Sequence, residues 1–298
     1  MLILNLLFCH LVLINLISLY LLFRGIRPHT IPSQVHFKNQ IANGLISQQL
    51  YGTWDKIPFS IQSNFGYTIT GLYFPITGSR KSVVLTHGFA STMYGMLKYI
   101  PIFKELGYNV VLYDNRFHGE SGGGNITFGH YEKHDLQQIV SWALEQLGNQ
   151  GLVGTMGESL GAAITLQHAA IDDRIHFAIA DSSFSNLHEL FKYRLRYDFH
   201  LPGWLTLPLT SFWCRLFYGF SFYSIAIPEM LQNVFTPILF ICGQEDKYIP
   251  PVMTKELHKA KINGVRELHI FPRARHAQSY NSNPNDYTQI IRKFIESM

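Results

Sequence analysis

A serine between two glycines, in the stretch Gly157-Glu158-Ser159-Leu160-Gly161, is the part of this sequence best suited to chemistry. An apolar run comes directly before it and a helical pattern follows, so the serine stands where a buried strand turns into a helix. Such a tight turn strains the serine backbone and leaves room only for glycine on both sides. The hydroxyl could then act as a nucleophile, and the Leu160 amide, at the start of the helix, could stabilise an oxyanion. The alternative is a serine that only caps the helix.

Two later loops could supply the base and the acid that such a serine needs. The predicted strand 236–241 is followed by Asp246, and the predicted strand 266–271 is followed by His276. Because the carboxyl ends of parallel strands lie along one edge of a sheet, residues far apart in sequence converge there. His276 would take the hydroxyl proton, and Asp246 would hold the imidazole in the required tautomer. Since only a neutral imidazole can take a proton, activity should fall on acidification.

Both assignments have alternatives in the sequence. Asp246 could instead cap the helix that follows it, and His276 could be an exposed loop histidine. Two other aspartates could serve as the acid, because each also follows a predicted strand. They are Asp181, after the strand that follows the serine helix, and Asp114, at the start of the loop 114–121.

A second amide could assist the Leu160 amide in binding an oxyanion. The predicted strand 81–86 ends in His87-Gly88-Phe89, before a helical stretch over about 92–106. The loop between them can aim the Phe89 amide toward the serine. We expect His87 to order this loop rather than to react.

The arrangement of elements predicts an α/β fold. From residue 83 onward strands alternate with helices, which is typical of a parallel sheet with right-handed crossovers. The segment 59–75 alternates apolar and polar residues around turn signals, and it predicts an antiparallel hairpin at the sheet edge. We therefore expect a mostly parallel central sheet with helices on both faces. The helices are predicted over 131–147, 160–171, 251–262 and 287–297.

The order of nucleophile, acid and histidine, each on a loop after a strand, resembles the α/β-hydrolase superfamily from about Lys56 to the carboxyl terminus. The His87 loop and the stretch Tyr113–Gly122, which follows the next strand, carry the same resemblance. Within the superfamily the chain is most similar to serine aminopeptidase S33-like and BEM46-like hydrolases, several of which carry an amino-terminal membrane anchor. The sequence departs from relatives at 115–118, where a glycine often precedes the histidine; this loop is expected only to shape the rim of the site.

The resemblance implies a serine hydrolase with the α/β-hydrolase fold and a helical lid insertion over about 187–233. It assigns a catalytic triad of Ser159, Asp246 and His276, and an oxyanion hole made by the backbone of Phe89 and Leu160. Some hydrolases of this type place the acid at the position of Asp181, which keeps that residue open as an alternative.

The amino terminus predicts a membrane anchor over residues 1–23. Leu2 to Phe23 form an almost unbroken apolar run, long enough to cross a hydrocarbon core of about 30 Å as a helix. A cleaved signal peptide is the alternative, but no basic residue precedes Arg24 and no small-residue cleavage site is visible. Arg24 and Arg27 follow the run, so the positive-inside rule favours a single-pass protein with its catalytic domain on the cytoplasmic side. Residues 24–55 are expected to be a linker leading into the domain.

Composition limits the remaining possibilities. The chain has 298 residues, which suits one hydrolase domain over 56–298. Its formal charge of +4 is spread along the chain, so we expect no nucleic-acid partner. The three cysteines and fourteen histidines show no metal-ligand spacing, and nothing resembles a phosphate-binding loop. The sequence therefore predicts neither a metal nor a cofactor.

The substrate is predicted from the insertion. Charged residues make up only 15% of the chain and aromatic residues 14%, and the segment 187–233 is rich in aromatics. These favour an apolar or membrane-proximal, lipid-like acyl substrate, although the aromatics could simply pack the lid onto the sheet. The insertion has no evident acidic cluster to bind a peptide amine, so we expect a carboxylesterase or lipase-like enzyme that cleaves an ester or thioester. The alternatives are a serine peptidase or amidase of the aminopeptidase type, and a hydrolase-like scaffold that binds without catalysis.

Overall fold

A single eight-stranded sheet organises the larger part of the protein. The computed structural model describes residues 1–148 and 150–298. The strands, in chain order, are β1 Ile57–Gln62, β2 Thr68–Phe74, β3 Lys81–Thr86, β4 Asn109–Tyr113, β5 Leu152–Glu158, β6 Phe177–Asp181, β7 Ile238–Gly243 and β8 Arg266–Phe271. They lie side by side in the order β1-β2-β4-β3-β5-β6-β7-β8.

The strand pairing confirms the predicted α/β class. The hairpin pair β1–β2 and the pair β2–β4 are antiparallel, with β1 at the edge as predicted. The remaining five pairings are parallel. The central strand β3 is an apolar run whose Val83, Val84 and Leu85 are fully buried, as expected for a parallel strand covered on both faces.

Twelve α-helices accompany the strands in the described chain. In order, they are α1 Leu2–Ile26, α2 Ser33–Ala42, α3 Gln48–Thr53, α4 Ile100–Glu105, α5 Glu132–Leu147, α6 Leu160–Ala169, α7 Leu187–Phe199, α8 Gly203–Tyr218, α9 Ile227–Leu231, α10 Pro251–Ala260, α11 Ser279–Ser282 and α12 Pro284–Glu296. Where one helix was predicted over 92–106, a 3-10 helix Met93–Tyr99 precedes α4. Pro101 explains the break, because it lacks an N–H and fits only the first turn of a helix.

The segment 24–55 is more ordered than the linker that the sequence predicts. Helices α2 and α3 pack against the hydrophobic core through partly buried side chains, Phe37 in α2, Tyr51 in α3 and Trp54 directly after α3. Tyr51 and Trp54 each make an edge contact with the fully buried Phe74. These aromatic contacts stabilise the two helices. The sequence does not predict them, because the segment is rich in polar residues and prolines.

The chain divides into two compact units. Residues 29–185 and 227–298 contain the whole sheet and are called the sheet unit here. Residues 1–28 and 186–226 contain α1, α7 and α8 and are called the helical unit. The insertion expected over about 187–233 thus supplies α7 and α8 to the helical unit, whereas its last helix, α9, belongs to the sheet unit.

Helix α1 is long enough and apolar enough to cross a membrane, a property that signal sequences share. Within the helical unit its carboxyl-terminal half packs against α8, and Ser18, Leu22 and Ile26 are buried there. Its first twelve residues are exposed on every side.

Candidate active site

Ser159 occupies the bend between β5 and α6, with a backbone conformation that a non-glycine residue rarely adopts. Its φ and ψ angles are 58° and −117°. Two backbone hydrogen bonds hold it there: its amide donates to the Asp181 carbonyl at 2.8 Å, and its carbonyl accepts from the Ala163 amide at 3.1 Å. Strain of this kind persists only where the surroundings impose it. The neighbouring strand and the helix together impose it here.

The two glycines beside Ser159 are required by close backbone approaches. A Cβ atom on Gly157 would lie 2.1 Å from the Gly161 carbonyl oxygen. A Cβ on Gly161 would lie 2.0 Å from the Thr86 carbonyl oxygen. Both contacts involve backbone atoms that cannot rotate away. Only glycine therefore fits at positions 157 and 161, on the two sides of the bend.

His276, in the loop after β8, contacts the Ser159 hydroxyl. The distance from Ser159 Oγ to His276 Nε2 is 2.8 Å, and the distance from His276 Nδ1 to Asp246 Oδ2 is 2.7 Å. A carboxylate can only accept, so Nδ1 carries the proton of the second bond. Nε2 is then the unprotonated nitrogen and accepts from the serine hydroxyl. The three residues predicted from the sequence thus lie in one hydrogen-bonded line.

Asp246 is buried and held by its own loop. Its Oδ1 accepts from the amides of Tyr248 and Ile249, both at 2.8 Å, which leaves Oδ2 for His276. The residue that caps α10 is Pro250, so Asp246 does not cap that helix. The loops after β7 and β8 are joined by a hydrogen bond from the Glu245 amide to the Ala274 carbonyl, at 2.9 Å. This bond fixes the aspartate loop against the histidine loop.

The two rival aspartates have other partners. Asp181 accepts hydrogen bonds from Tyr287 Oη at 2.8 Å and Ser182 Oγ at 2.9 Å. Asp114 accepts from the amides of Met93 and Glu120, at 2.7 and 3.0 Å. Burial raises the pKa of each carboxyl to about 6. Their hydrogen bonds hold loops and the carboxyl-terminal helix in place, and His276 Nδ1 bonds to neither.

The loop after β3 passes directly beside the serine. A Cβ atom on Gly88 would lie 3.3 Å from Ser159 Cβ. His87 is fully buried, and its Nε2 accepts from the Asn115 amide at 2.9 Å. Asn115 Nδ2 in turn donates to the His87 carbonyl at 2.9 Å. Burial lowers the pKa of His87 well below its usual range, so the imidazole is neutral and can accept this bond.

His118 holds the same loop from the other side, a role that the sequence did not suggest. Its Nε2 accepts from the Ala90 amide at 3.1 Å, and its Nδ1 meets the Arg116 carbonyl at 2.9 Å. Burial lowers the pKa of His118 and favours the neutral form that both bonds require. Ala90 has a φ of 55°, so its conformation needs support. No pattern in one sequence pairs residues 90 and 118, since only folding brings their loops together.

Two amides remain available near the serine hydroxyl. Phe89 follows Gly88 in the loop beside Ser159, and Leu160 is the first residue of α6, whose first amides have no partner inside the helix. Among the described residues, neither amide donates a hydrogen bond to another group of the chain.

A buried ion pair stabilises the residue before the serine. Lys98 Nζ lies 2.6 Å from Glu158 Oε2, and Tyr99 Oη donates to the same oxygen at 2.6 Å. Lys98 is only 5% exposed. No sequence pattern singles out this pair, because the residue before the serine varies freely in the motif.

Among residues 1–148 and 150–298 no group of three or more histidine, cysteine or acidic side chains is arranged to hold a metal ion. The cysteines Cys9, Cys214 and Cys242 are all free.

Comparison with known proteins finds relatives in sequence and in fold. A family model described as the alpha/beta hydrolase fold matches residues 81–212. The uncharacterised protein YqkD of Bacillus subtilis is 34% identical over 263 residues, which cover 88% of this chain and 86% of that protein. Protein bem46 of Schizosaccharomyces pombe is 22% identical over 220 residues, or 73% of this chain and 68% of that protein. The structure of the Pyrococcus furiosus esterase Pf2001 is similar with a TM-score of 0.69 and 22% identity, over 82% of this chain and 92% of that one.

Proposed function

Because this chain belongs to the α/β-hydrolase family, we propose that it is a serine hydrolase that cleaves a carboxylic ester or thioester through an acyl-enzyme. The observation that carries the proposal is the line of two hydrogen bonds from Ser159 through His276 to Asp246. In such a line the imidazole accepts a proton on one nitrogen while the carboxylate stabilises the positive charge that results.

The proposed reaction begins with attack of Ser159 Oγ on the substrate carbonyl carbon, while His276 Nε2 takes the hydroxyl proton. The carbonyl oxygen becomes an oxyanion, which accepts hydrogen bonds from the amides of Phe89 and Leu160. Collapse of this intermediate breaks the bond to the leaving alkoxide or thiolate, which takes the proton from His276. A water molecule then attacks the carbonyl carbon of the acyl-serine while His276 takes a proton from the water. His276 returns this proton to Ser159 Oγ as the acyl bond breaks, and the carboxylic acid is released.

The surroundings of the serine support this assignment over a structural role. A capping serine would accept a hydrogen bond from an amide of α6, but Ser159 makes no side-chain cap there, and its hydroxyl is directed to His276. The strained backbone and the two obligatory glycines cost stability, and such costs are typical of functional sites.

An ester or thioester is preferred over a peptide as substrate for two reasons. The segment 187–233 is rich in aromatic residues and lacks an evident acidic cluster that would bind a peptide amine. The similar Pyrococcus furiosus protein is named an esterase. An apolar acyl group therefore suits the proposed enzyme best, with aminopeptidase-type activity as the alternative.

We further propose that residues 1–23 anchor the chain in a membrane as a single span, with 24–55 leading into a hydrolase domain over 56–298. Helix α1 has the necessary length and hydropathy. Arg24 and Arg27 follow the apolar run, and by the positive-inside rule they favour the cytoplasmic side for the rest of the chain. Epitope tags at each end, tested for protease access in intact cells, check this orientation.

The reaction is tested with a panel of p-nitrophenyl esters of increasing chain length and a parallel panel of aminoacyl amides. We expect ester turnover that is lost in Ser159→Ala and kept in the control Ser183→Ala. Ser183 is a suitable control because its buried hydroxyl bonds only to the neighbouring Phe184 carbonyl. Turnover that survives in Ser159→Ala would refute the assignment, and turnover confined to the amides would favour the peptidase.

A further inference from the structure

Helix α8 of the helical unit exposes an apolar surface that a water-facing helix would not have. Trp204, Phe212, Leu216 and Phe217 are 75%, 56%, 61% and 53% exposed. Arg215 is the only charged residue among its sixteen. A helix on a soluble surface normally carries polar residues opposite its buried stripe. This one instead buries Thr206, Thr210 and Ser211 and exposes large apolar side chains, so its outer face requires an apolar environment.

Two polar contacts join α8 to α1 along their common length. Trp213 Nε1 donates to Asn15 Oδ1, and Ser18 Oγ donates to the Thr206 carbonyl, each at 3.2 Å. Residue numbers rise along α1 while they fall along α8, so the two helices run in opposite directions. The remaining donor of Asn15 bonds to the Leu11 carbonyl within α1, at 2.8 Å. Asn15 and Ser18, which interrupt the apolar run, thus find hydrogen-bond partners on α8 or within α1.

These contacts fix the depth of α8 once α1 spans a membrane. At 1.5 Å per residue, the apolar run 2–23 is about 33 Å long, which matches a hydrocarbon core of about 30 Å. Ser18 and Asn15 then lie roughly 8 and 12 Å inside its Phe23 end. Thr206 and Trp213 are hydrogen-bonded to them and must lie at similar depths. Satisfied polar pairs between helices are the form in which polar groups are tolerated in hydrocarbon.

We propose that α8 enters the lipid bilayer beside α1, in the leaflet nearest Arg24, and that lipid acyl chains cover its exposed face. The inference rests on the anchor proposed for α1. Helix α8 is about 24 Å long and too short to cross the core, so it lies within one leaflet. Phe199 and Leu201, at the turn between α7 and α8, are 61% and 40% exposed and extend the same apolar surface. The chain is thus held by a span and a second, half-inserted helix.

Fluorescence quenching by brominated lipid tests this insertion. The full chain carries four tryptophans, and the double variant Trp54→Phe/Trp142→Phe keeps only Trp204 and Trp213 in the helical unit. In vesicles of phosphatidylcholine and phosphatidylglycerol, replacing the phosphatidylcholine by its 6,7-dibromo form should remove most of the emission of this variant. The matched variant Trp204→Phe/Trp213→Phe, which keeps the other two tryptophans, should lose little. In the unsubstituted chain, Trp204→Phe alone should reduce the quenched fraction, which provides a check if the double variant folds poorly.

Flotation of the same vesicles distinguishes failure of the α8 insertion from failure of the α1 anchor. Protein that floats but is not quenched would overturn the insertion of α8 and leave the anchor standing; a crosslinked dimer in that case would identify a second copy as what covers α8. Protein that does not float would overturn both the anchor and this inference. Fluorophosphonate labelling of the floated protein reports on the proposed hydrolase separately, because Ser159 belongs to the sheet unit.

Discussion

Asp181 ends β6 and Asp246 follows the neighbouring strand β7. Both are buried, yet their hydrogen-bond partners give them different expected roles. Asp246→Asn keeps the shape but presents an amide that cannot stabilise a positively charged imidazole, so kcat/KM should fall by roughly 10³- to 10⁴-fold. Asp181→Asn should lower it less than about tenfold, because Asp181 bonds to Tyr287 and Ser182 instead of His276. Ester turnover of the two variants, measured side by side, checks this. A larger loss in Asp181→Asn would transfer the role of the acid to that residue.

His118 is expected to act as a positioning residue for the loop that carries the Phe89 amide. His118→Ala removes the acceptor of the Ala90 amide. It should lower kcat by roughly tenfold with little change in KM, because the Phe89 amide on this loop is proposed to stabilise the oxyanion of the transition state rather than to bind the substrate. His118→Gln offers a carbonyl oxygen to the same amide and should recover part of the loss. A purely structural role would instead lower the melting temperature of both variants and leave kcat unchanged in the folded fraction.

The turn from strand β5 into helix α6 requires Gly157 and Gly161, because a side chain at either position would clash with the backbone. Gly157→Ala or Gly161→Ala would place a methyl group about 2 Å from a backbone oxygen. We expect either change to lower the free energy of unfolding by about 3 kcal/mol or more. Gly52→Ala in α3 is the control, because a Cβ there meets nothing within 4 Å. It should be neutral or slightly stabilising. Denaturant titrations in a mild detergent measure these differences, and equal stability of all three variants would contradict the packing described.

The elements were predictable from the sequence where local pattern and tertiary structure agree. Strands β3 and β8 begin and end as predicted, since each is a short run bounded by clear loops. The pattern around Ser159 located the bend because its backbone admits only glycines. Helices α2 and α3 escaped prediction because their few aromatic anchors are diluted by polar residues. The contacts His118–Ala90 and Lys98–Glu158 escaped it because they join loops and helices that are distant in sequence.

At the scale of the whole molecule, buried carboxyls should make stability depend on pH. Burial raises the pKa of Asp114, Asp135 and Asp181 to about 6 from an ordinary value of 3.8. Between these values each of the three carboxyls binds more protons in the folded state than in the unfolded state, so its own contribution to the free energy of unfolding falls as pH rises from about 4 to about 6. Each group accounts for at most about 3 kcal/mol of this change. In denaturant titrations, the free energy of unfolding of the original chain minus that of Asp181→Asn should fall as pH rises from about 4 to about 6. A difference that does not change with pH would contradict the assignment.

The proposed catalytic site and the proposed membrane-binding helices belong to different units. The sheet unit holds every residue of the proposed site, and the helical unit holds the apolar helices α1 and α8. We therefore expect that variants of α8 which abolish lipid quenching, such as Leu216→Glu/Phe217→Glu, still react with a water-soluble fluorophosphonate. Loss of labelling in these variants would show that the two functions are not separable.

The proposed reaction requires Ser159 to be the nucleophile and His276 its base. Labelling of the full chain with a fluorophosphonate, followed by peptide mapping of the phosphonylated residue, tests both roles. We expect one modified residue, Ser159, and loss of labelling in His276→Ala while that variant remains folded. A label on any other residue, or labelling of Ser159 that is unaffected by His276→Ala, would contradict it.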